Sequence, residues 1–299
     1  MTKIPGIRLL LGAVVLGIAT VNANPAWAGY QILLANNYDG PYFGGNGLYQ
    51  VDPASGQTLK TTPITNTNNQ LLNGLTSDGA GNLYSIFGYN GTDKLFRINQ
   101  TTGAGAVIGD LGVNWNERYL SFDPATHVLY GGTDTTLYTL NTTTGAATKV
   151  ANITGLHLAQ GGMQATAMAI DSNGNAYITD LGKNLYSLNL TNGQATYIGA
   201  INDGYLGNNY WALAFDQNNN LYATNSMNGY LEKINVSTLT GTTIATQNPL
   251  DGIAFVHATP NVVPEPASLT LLGIGSAGLL GFAWRNRRRG KCQAAALSL

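Results

Sequence analysis

The five residues Leu137-Tyr138-Thr139-Leu140-Asn141 decide the fold, because their pattern occurs five times in the chain. The other copies are Leu48-Tyr49-Gln50-Val51-Asp52, Leu95-Phe96-Arg97-Ile98-Asn99, Leu185-Tyr186-Ser187-Leu188-Asn189 and Leu231-Glu232-Lys233-Ile234-Asn235. Successive copies start 47, 42, 48 and 46 residues apart. Each alternates apolar and polar side chains and ends on Asn or Asp. A Gly-containing turn follows in most copies, as in Thr101-Thr102-Gly103 and Thr143-Thr144-Gly145. Alternation followed by Asn, Thr and Gly is the pattern of a β-hairpin.

A second phrase precedes the first from its second copy on: Leu75-Thr76-Ser77-Asp78, Leu120-Ser121-Phe122-Asp123, Met168-Ala169-Ile170-Asp171 and Leu213-Ala214-Phe215-Asp216. A short turn and a further strand follow each, as in Asn82-Leu83-Tyr84 and Asn220-Leu221-Tyr222. The repeating unit is therefore four strands in about 45 residues, the spacing of a propeller blade. Ile253-Ala254-Phe255 reads as one more innermost strand with no partner after it, and Gln31-Ile32-Leu33-Leu34 as a second strand with no innermost strand before it. Joined, they complete a blade. The expectation is an all-β, five-bladed β-propeller of four-stranded blades, closed by a one-plus-three clasp that leaves no open sheet edge at the join, with six blades including one degenerate copy, or a β-sandwich, as the rival readings. The turns that begin Asp-x-x-Gly-Asn-Leu-Tyr resemble those of NHL-like and related bacterial propellers. That resemblance covers nearly the whole body and implies architecture, not chemistry.

Both ends of the chain differ from this body. Lys3 and Arg8 precede an apolar stretch from Leu9 to Ala19, and Ala26-Trp27-Ala28 has the small-x-small form read by signal peptidase. Residues 1–28 are expected to be a signal peptide with a helical core, cleaved between Ala28 and Gly29. At the other end Val263-Pro264-Glu265-Pro266 is followed by the apolar run Leu269 to Trp284 and by Arg285, Arg287, Arg288 and Arg289. Proline cap, apolar segment and basic stop, in that order, resemble the PEP-CTERM sorting signal of bacterial envelope proteins. The resemblance implies processing by an exosortase-type enzyme. The apolar run has 16 residues, short of the roughly 20 that a full bilayer core requires. It is expected to form a short transmembrane helix that anchors the chain transiently in the inner membrane, with its arginines left in the cytoplasm. The expected division is signal peptide 1–28, propeller 29–260 and sorting segment 261–299, in a protein destined for the cell envelope or outer surface.

The termini also conceal the charge of the body. The whole chain has a formal net charge of −1, but half of its 14 Lys and Arg lie in the two end segments. Residues 29–261 keep 7 cations against 14 anions, a formal charge of −7. Such a body repels phosphate backbones, which excludes nucleic acid as a partner. The one cysteine, Cys292, lies beyond the basic stop, so no disulfide braces the body and its core must do that work.

The longer connections join the fourth strand of one blade to the first of the next, or the second strand to the third, and both kinds emerge on one face. Variable loops on a rigid frame are where binding residues gather. That face carries Tyr38, Tyr42, Phe43, Tyr89, Trp115, Tyr119, Tyr205, Tyr210 and Trp211 among amides. Rings stack on the apolar faces of sugars while amides bond hydroxyls. The candidate ligand face is Trp115, Asn116, Glu117, Arg118, Tyr210, Trp211 and Asp251, with a polysaccharide, a matrix polymer or an envelope protein as the partner. The competing expectation is that such rings fill the space between blades.

Catalytic signals are sparse. His127, His157 and His257 stand apart, and no zinc-protease, nucleophile-elbow or phosphate-loop motif occurs. The body is expected to be noncatalytic, with neither metal nor cofactor. The alternative, a propeller hydrolase or lactonase, rests on Glu117, Arg118 and Asp251 at the starts of innermost strands. Asp171-Ser172-Asn173-Gly174-Asn175 matches half of a calcium loop, but the bidentate glutamate is missing and equivalent aspartates begin the same turn in other copies. Turn capping is the reading preferred. Sequons at Asn90, Asn99, Asn141, Asn152, Asn189 and Asn235 lie mostly in hairpin turns, where Asn and Thr belong anyway.

Overall fold

The computed structural model describes residues 31–36, 47–67, 72–88, 93–115, 119–133, 135–157, 165–204, 209–225, 229–246 and 250–257. All of them fall in the unit Gln31–Asn261; the other unit, Met1–Tyr30 with Val262–Leu299, lies outside them. The expected signal helix and the expected C-terminal helix therefore fall outside the described residues. Among those residues, no helix is long and apolar enough to cross a membrane.

The described chain is an all-β, propeller-like arrangement of four-stranded antiparallel sheets. Four sheets follow one another in the sequence: β4 (Leu72–Ser77), β5 (Asn82–Phe87), β6 (Lys94–Asn99) and β7 (Gly105–Asp110); β8 (Tyr119–Asp123), β9 (Val128–Thr133), β10 (Thr136–Leu140) and β11 (Ala147–Asn152); β12 (Ala165–Ile170), β13 (Ala176–Asp180), β14 (Asn184–Leu188) and β15 (Ala195–Ala200); β16 (Tyr210–Phe215), β17 (Leu221–Asn225), β18 (Leu231–Asn235) and β19 (Thr240–Ile244). The remaining strands, β1 (Gln31–Asn36), β2 (Gly47–Val51), β3 (Thr58–Pro63) and β20 (Ile253–His257), pair in the order β20-β1-β2-β3. In that sheet Leu33 lies opposite Phe255 on one side and Val51 on the other. The first strands β4, β8, β12, β16 and β20 neighbour one another in turn, and β20 also neighbours β4.

Both repeated phrases have a physical role. The leucines that open the first phrase are all fully or nearly buried between sheets, as are Val51, Ile98, Leu140, Leu188 and Ile234 at its fourth position. The closing Asn caps its own turn: Oδ1 of Asn99, Asn141, Asn189 and Asn235 each accepts the amides two and three residues on. Side-chain turn capping of this kind is why Asn and Asp recur there. The Asp that ends the second phrase caps the turn between first and second strands. Asp171 Oδ1 accepts from the Asn173 and Asn175 amides, and its Oδ2 from Asn175 Nδ2 at 2.9 Å. Asp78 and Asp216 repeat that arrangement.

Hydroxyls stitch neighbouring first strands together. Thr76 Oγ1 accepts the Phe122 amide and Ser121 Oγ the Ile170 amide, each at 3.0 Å. Glycine is required where turns of one sheet press on the backbone of the next. At Gly145 (φ +83°) an added Cβ would lie 2.4 Å from the Gly109 carbonyl oxygen.

Candidate functional site

Of the residues singled out on the long-loop side, Asn116, Glu117 and Arg118 lie outside the described residues, as do Ala26, Ala28 and the whole sorting segment. The other four are placed differently from one another. Trp115 does not face solvent: it is 1% exposed and packs with Ile86, Leu95, Leu120 and Leu129 between two sheets. Its amide donates to Asp93 Oδ2 at 2.7 Å, and its ring lies 5.4 Å from that of Tyr138. Its Nε1 has no hydrogen-bond partner among the described residues. Tyr210 is also fully buried, within the cluster formed by Leu185, Leu213, Leu221 and Ile234. These two rings fill space between sheets because a large apolar surface gains more from burial than from stacking on an occasional ligand.

Trp211 behaves otherwise. The β16–β17 register shifts between Tyr210 and Ala212, so Trp211 is the extra residue of a β-bulge. β12 has the same bulge at Thr166, which is buried, so exposure at this place is particular to β16. Trp211 is 37% exposed while Tyr210 and Ala212 beside it are buried. Asp251 is 7% exposed, and its carbonyl accepts Thr224 Oγ1 at 2.9 Å. The structure thus brings Asp251 to the sheet that carries Tyr210 and Trp211, and leaves Trp115 between the β4–β7 and β8–β11 sheets.

Sequence reasoning passed over a buried polar cluster one residue from Trp211. Glu232 on β18 is 0% exposed. Its Oε2 lies 2.9 Å from Tyr210 Oη, and its Oε1 accepts from Asn225 Nδ2 at 2.9 Å. Tyr210 Oη also lies 3.1 Å from Asp203 Oδ2, and Lys183 Nζ pairs with Asp203 Oδ1 at 2.5 Å. Burial raises the Glu232 pKa above its ordinary value, against the hydrogen bonds from Asn225 and Tyr210, and the nearby Asp203 charge adds to the rise. Tyr210 is raised as well, first by burial and then by the charges of Glu232 and Asp203.

The signal for this cluster was in the repeat. Glu232 stands where the other copies of the first phrase have Tyr49, Phe96, Tyr138 and Tyr186. The residue facing it from the end of the second strand changes in step: Phe87 stacks on Phe96 at 5.3 Å, Asp180 accepts from Tyr186 Oη at 2.7 Å, and Asn225 donates to Glu232. The backbone follows too. Bulges interrupt the pairing at Leu95/Phe96, Leu137/Tyr138, Leu185/Tyr186 and, two residues further along the phrase, Gln50/Val51, whereas β18 pairs with β19 without a shift.

A cavity of about 250 Å³ lies at the opposite ends of the first strands, beside the short capped turns. The equivalent small residues Thr76, Ser121, Ala169, Ala214 and Ala254 help to line it. Its polar lining is largely committed: the Thr76 and Ser121 hydroxyls hold neighbouring strands, and Asp78 and Asp216 cap turns.

Residues 262–289 match the PEP-CTERM protein-sorting motif. The chain is thus an exported, envelope-sorted protein with a β-propeller body, and its motif implies an exosortase-type processing enzyme acting at a membrane-anchored C-terminus. Among solved structures, a chain of a nidogen/laminin complex is similar at 12% identity, with a TM-score of 0.51 over 76% of this chain and 98% of that one. A Bacteroides thetaiotaomicron protein of unknown function has 16% identity and a TM-score of 0.48, over 74% of this chain and 66% of that one. TolB from Acinetobacter baumannii has 10% identity and a TM-score of 0.46, over 75% of this chain and 66% of that one. At such identities the likeness concerns the fold alone. No curated protein matches the sequence.

Proposed function

We propose that this chain is a noncatalytic five-bladed propeller that binds a polysaccharide at the cell envelope through its long-loop face. The division is signal peptide 1–28, body 29–260 and sorting segment 261–299, with signal peptidase acting after Ala28 and a short apolar helix holding the chain until an exosortase-type enzyme acts near Pro264-Glu265-Pro266. The pairing of β20 with β1, and the neighbouring of β20 with both β16 and β4, support a one-plus-three clasp that joins the ends of the body.

The observation that carries the binding reading is how the carboxylates are used. Asp52, Asp78, Asp123, Asp171, Asp180 and Asp216 cap turns, and Glu232 and Asp203 are buried with their own partners. Acid–base chemistry needs such groups at a solvent-reachable site. Among the described residues, the long-loop side offers solvent Trp211 on its bulge, a flat ring of the kind that stacks on sugars. The test is a glycan array and co-sedimentation with envelope polysaccharide, comparing the mature protein with Trp211→Ala. Loss of about tenfold or more in affinity supports the reading, since removing one aromatic anchor typically costs more than 1 kcal/mol. Unchanged binding by the variant refutes the Trp211 face. Retention of an envelope protein and no glycan would make the ligand a protein.

A further inference from the structure

We propose that Glu232 carries a proton in the folded protein, so that the junction between the β12–β15 and β16–β19 sheets is a latch that weakens as the surrounding pH rises. The argument is one of counting hydrogens. A phenol has one hydrogen to donate, yet Tyr210 Oη lies within hydrogen-bond distance of two carboxyl groups, Glu232 Oε2 at 2.9 Å and Asp203 Oδ2 at 3.1 Å. Ionised carboxylates only accept. One phenolic hydrogen cannot lie in both contacts, so one acid is taken to donate to the phenol oxygen.

The neighbours decide which one. Asp203 is ion-paired with Lys183 through its other oxygen. Among the described residues, Glu232 Oε1 receives the neutral amide of Asn225 and no cation. The proton therefore resides on Glu232, and the chain of donation runs from Glu232 Oε2–H to Tyr210 Oη, from Tyr210 O–H to Asp203 Oδ2, and from Lys183 to Asp203 Oδ1. In this arrangement a hydrogen lies in each of the four contacts, whereas with both acids ionised one contact of Tyr210 Oη has none. Among the described residues, the charged and titratable groups facing Glu232 are Asp203 from the β15–β16 connection, Lys183 from the β13–β14 turn and Tyr210 from β16; β17 presents the neutral Asn225. β19 presents Gly241, where even a Cβ would come within 3.1 Å of Glu232 Oε2. Glu232 itself is fully buried.

The chain crosses the junction here: Lys183 belongs to one sheet, Tyr210, Asn225 and Glu232 to the next, and Asp203 to the connection between them. Removing the proton sets two like charges against one phenol at this seam. The burial-raised pKa agrees in sign. A raised folded-state pKa means that the contribution to stability is complete below the ordinary value of 4.5 and is lost as pH rises through the folded value. An exported protein meets whatever pH prevails outside the cell, so this loss is one it encounters.

The test uses the full chain and Glu232→Gln. Glutamine reproduces the protonated acid, with its NH2 donating to Tyr210 and its C=O accepting from Asn225, but cannot ionise. The expected result is a melting-temperature difference, variant minus wild type, near zero at about pH 4 and growing to several degrees at alkaline pH. The absolute curve is not the readout, because other carboxylates titrate in it too. A difference constant across pH, or a variant less stable by the same amount throughout, overturns the proposal. A second measurement stands without the variant: the infrared C=O stretch of a protonated carboxylic acid persists in the wild-type protein at about pH 6. Its absence there overturns the proposal even where Glu232→Gln does not fold. Neither readout depends on a ligand, so failure of the polysaccharide reading leaves this one intact.

Discussion

Replacing Asp180 by Ala is expected to destabilise the protein by about 3 kcal/mol, several times the effect of the same change at Asp216. Both aspartates cap a turn in the same way. Asp216 accepts the amides of Asn218 and Asn220 on Oδ1, at 2.9 and 2.8 Å, and Asn220 Nδ2 on Oδ2 at 2.7 Å. Asp180 repeats the set with Gly182, Asn184 and Asn184 Nδ2, at 2.8, 2.9 and 2.9 Å. It differs in being buried and in accepting a fourth hydrogen bond, from Tyr186 Oη at 2.7 Å. At Asp216 water replaces the lost acceptor, and the cost is that of a turn cap, about 1 kcal/mol. At Asp180 the fully buried Tyr186 hydroxyl and the turn amides lose a charged acceptor that water cannot readily replace. A buried group left unsatisfied costs about 1–3 kcal/mol beyond the cap. For a body of this size the two changes should lower the melting temperature by roughly 6–12 °C and 2–4 °C respectively. Differential scanning calorimetry on the two variants and the parent provides the measurement. Equal losses would refute the claim that burial and the tyrosine, rather than the turn itself, set the magnitude.

Tyr186 carries a pH signature of its own, since burial pushes its hydroxyl up to about 12. Stability from its protonated form is complete below the ordinary value of 10.0 and lost as pH rises through about 12. Chemical denaturation should therefore show the gap between wild type and Tyr186→Phe narrowing over that window. Gly145→Ala should cost about 3 kcal/mol or more, because a positive φ is compounded by backbone 2.4 Å from the new Cβ. Gly79→Ala shares the positive φ but meets nothing within 4 Å, so about 1 kcal/mol is expected; urea midpoints of the pair separate the two effects. Ser121→Ala removes the acceptor of the Ile170 amide and should cost about 1–2 kcal/mol, read as faster hydrogen exchange at that amide.

The architecture was legible because it is written by short-range chemistry repeated at long range. Leu-aromatic-x-aliphatic-Asn encodes alternation plus a side-chain cap, and both are local: Leu185 and Leu188 are buried, and Asn189 caps its own turn. The pairing of Ile253–Phe255 with Gln31–Leu34 was legible from the two half-units left over at the ends of the body. The site was harder to read because exposure is not local. Trp115 and Trp211 look alike in sequence, each among amides in a long connection. Trp115 nevertheless closes against Tyr138 and Leu120, whereas Trp211, on a bulge of β16, stays exposed. A bulge of one residue has no compositional mark.

Glu232 was legible in principle and informative for the same reason that the repeat is. In a chain built from copies, packing at one position is solved once and reused, so an exception requires compensation in every neighbour. Here the compensation spans four segments. The facing residue is Asn225 instead of Phe87 or Asp180, the bulge found beside Phe96, Tyr138 and Tyr186 is missing, Tyr210 supplies the ring, and the Lys183–Asp203 pair supplies the charge balance. A drifting repeat would more readily have kept an aromatic side chain, because a buried acid costs stability unless all its contacts are satisfied. The coordinated changes instead satisfy a protonated acid and leave an ionised one short of a donor. It follows that Glu232→Tyr, which restores the consensus at this position, should destabilise the protein unless Tyr210 is reduced to a smaller side chain. Thermal melts of the single and double variants would measure that coupling directly, and simple additivity between the two changes would show that the neighbours are not compensating for one another.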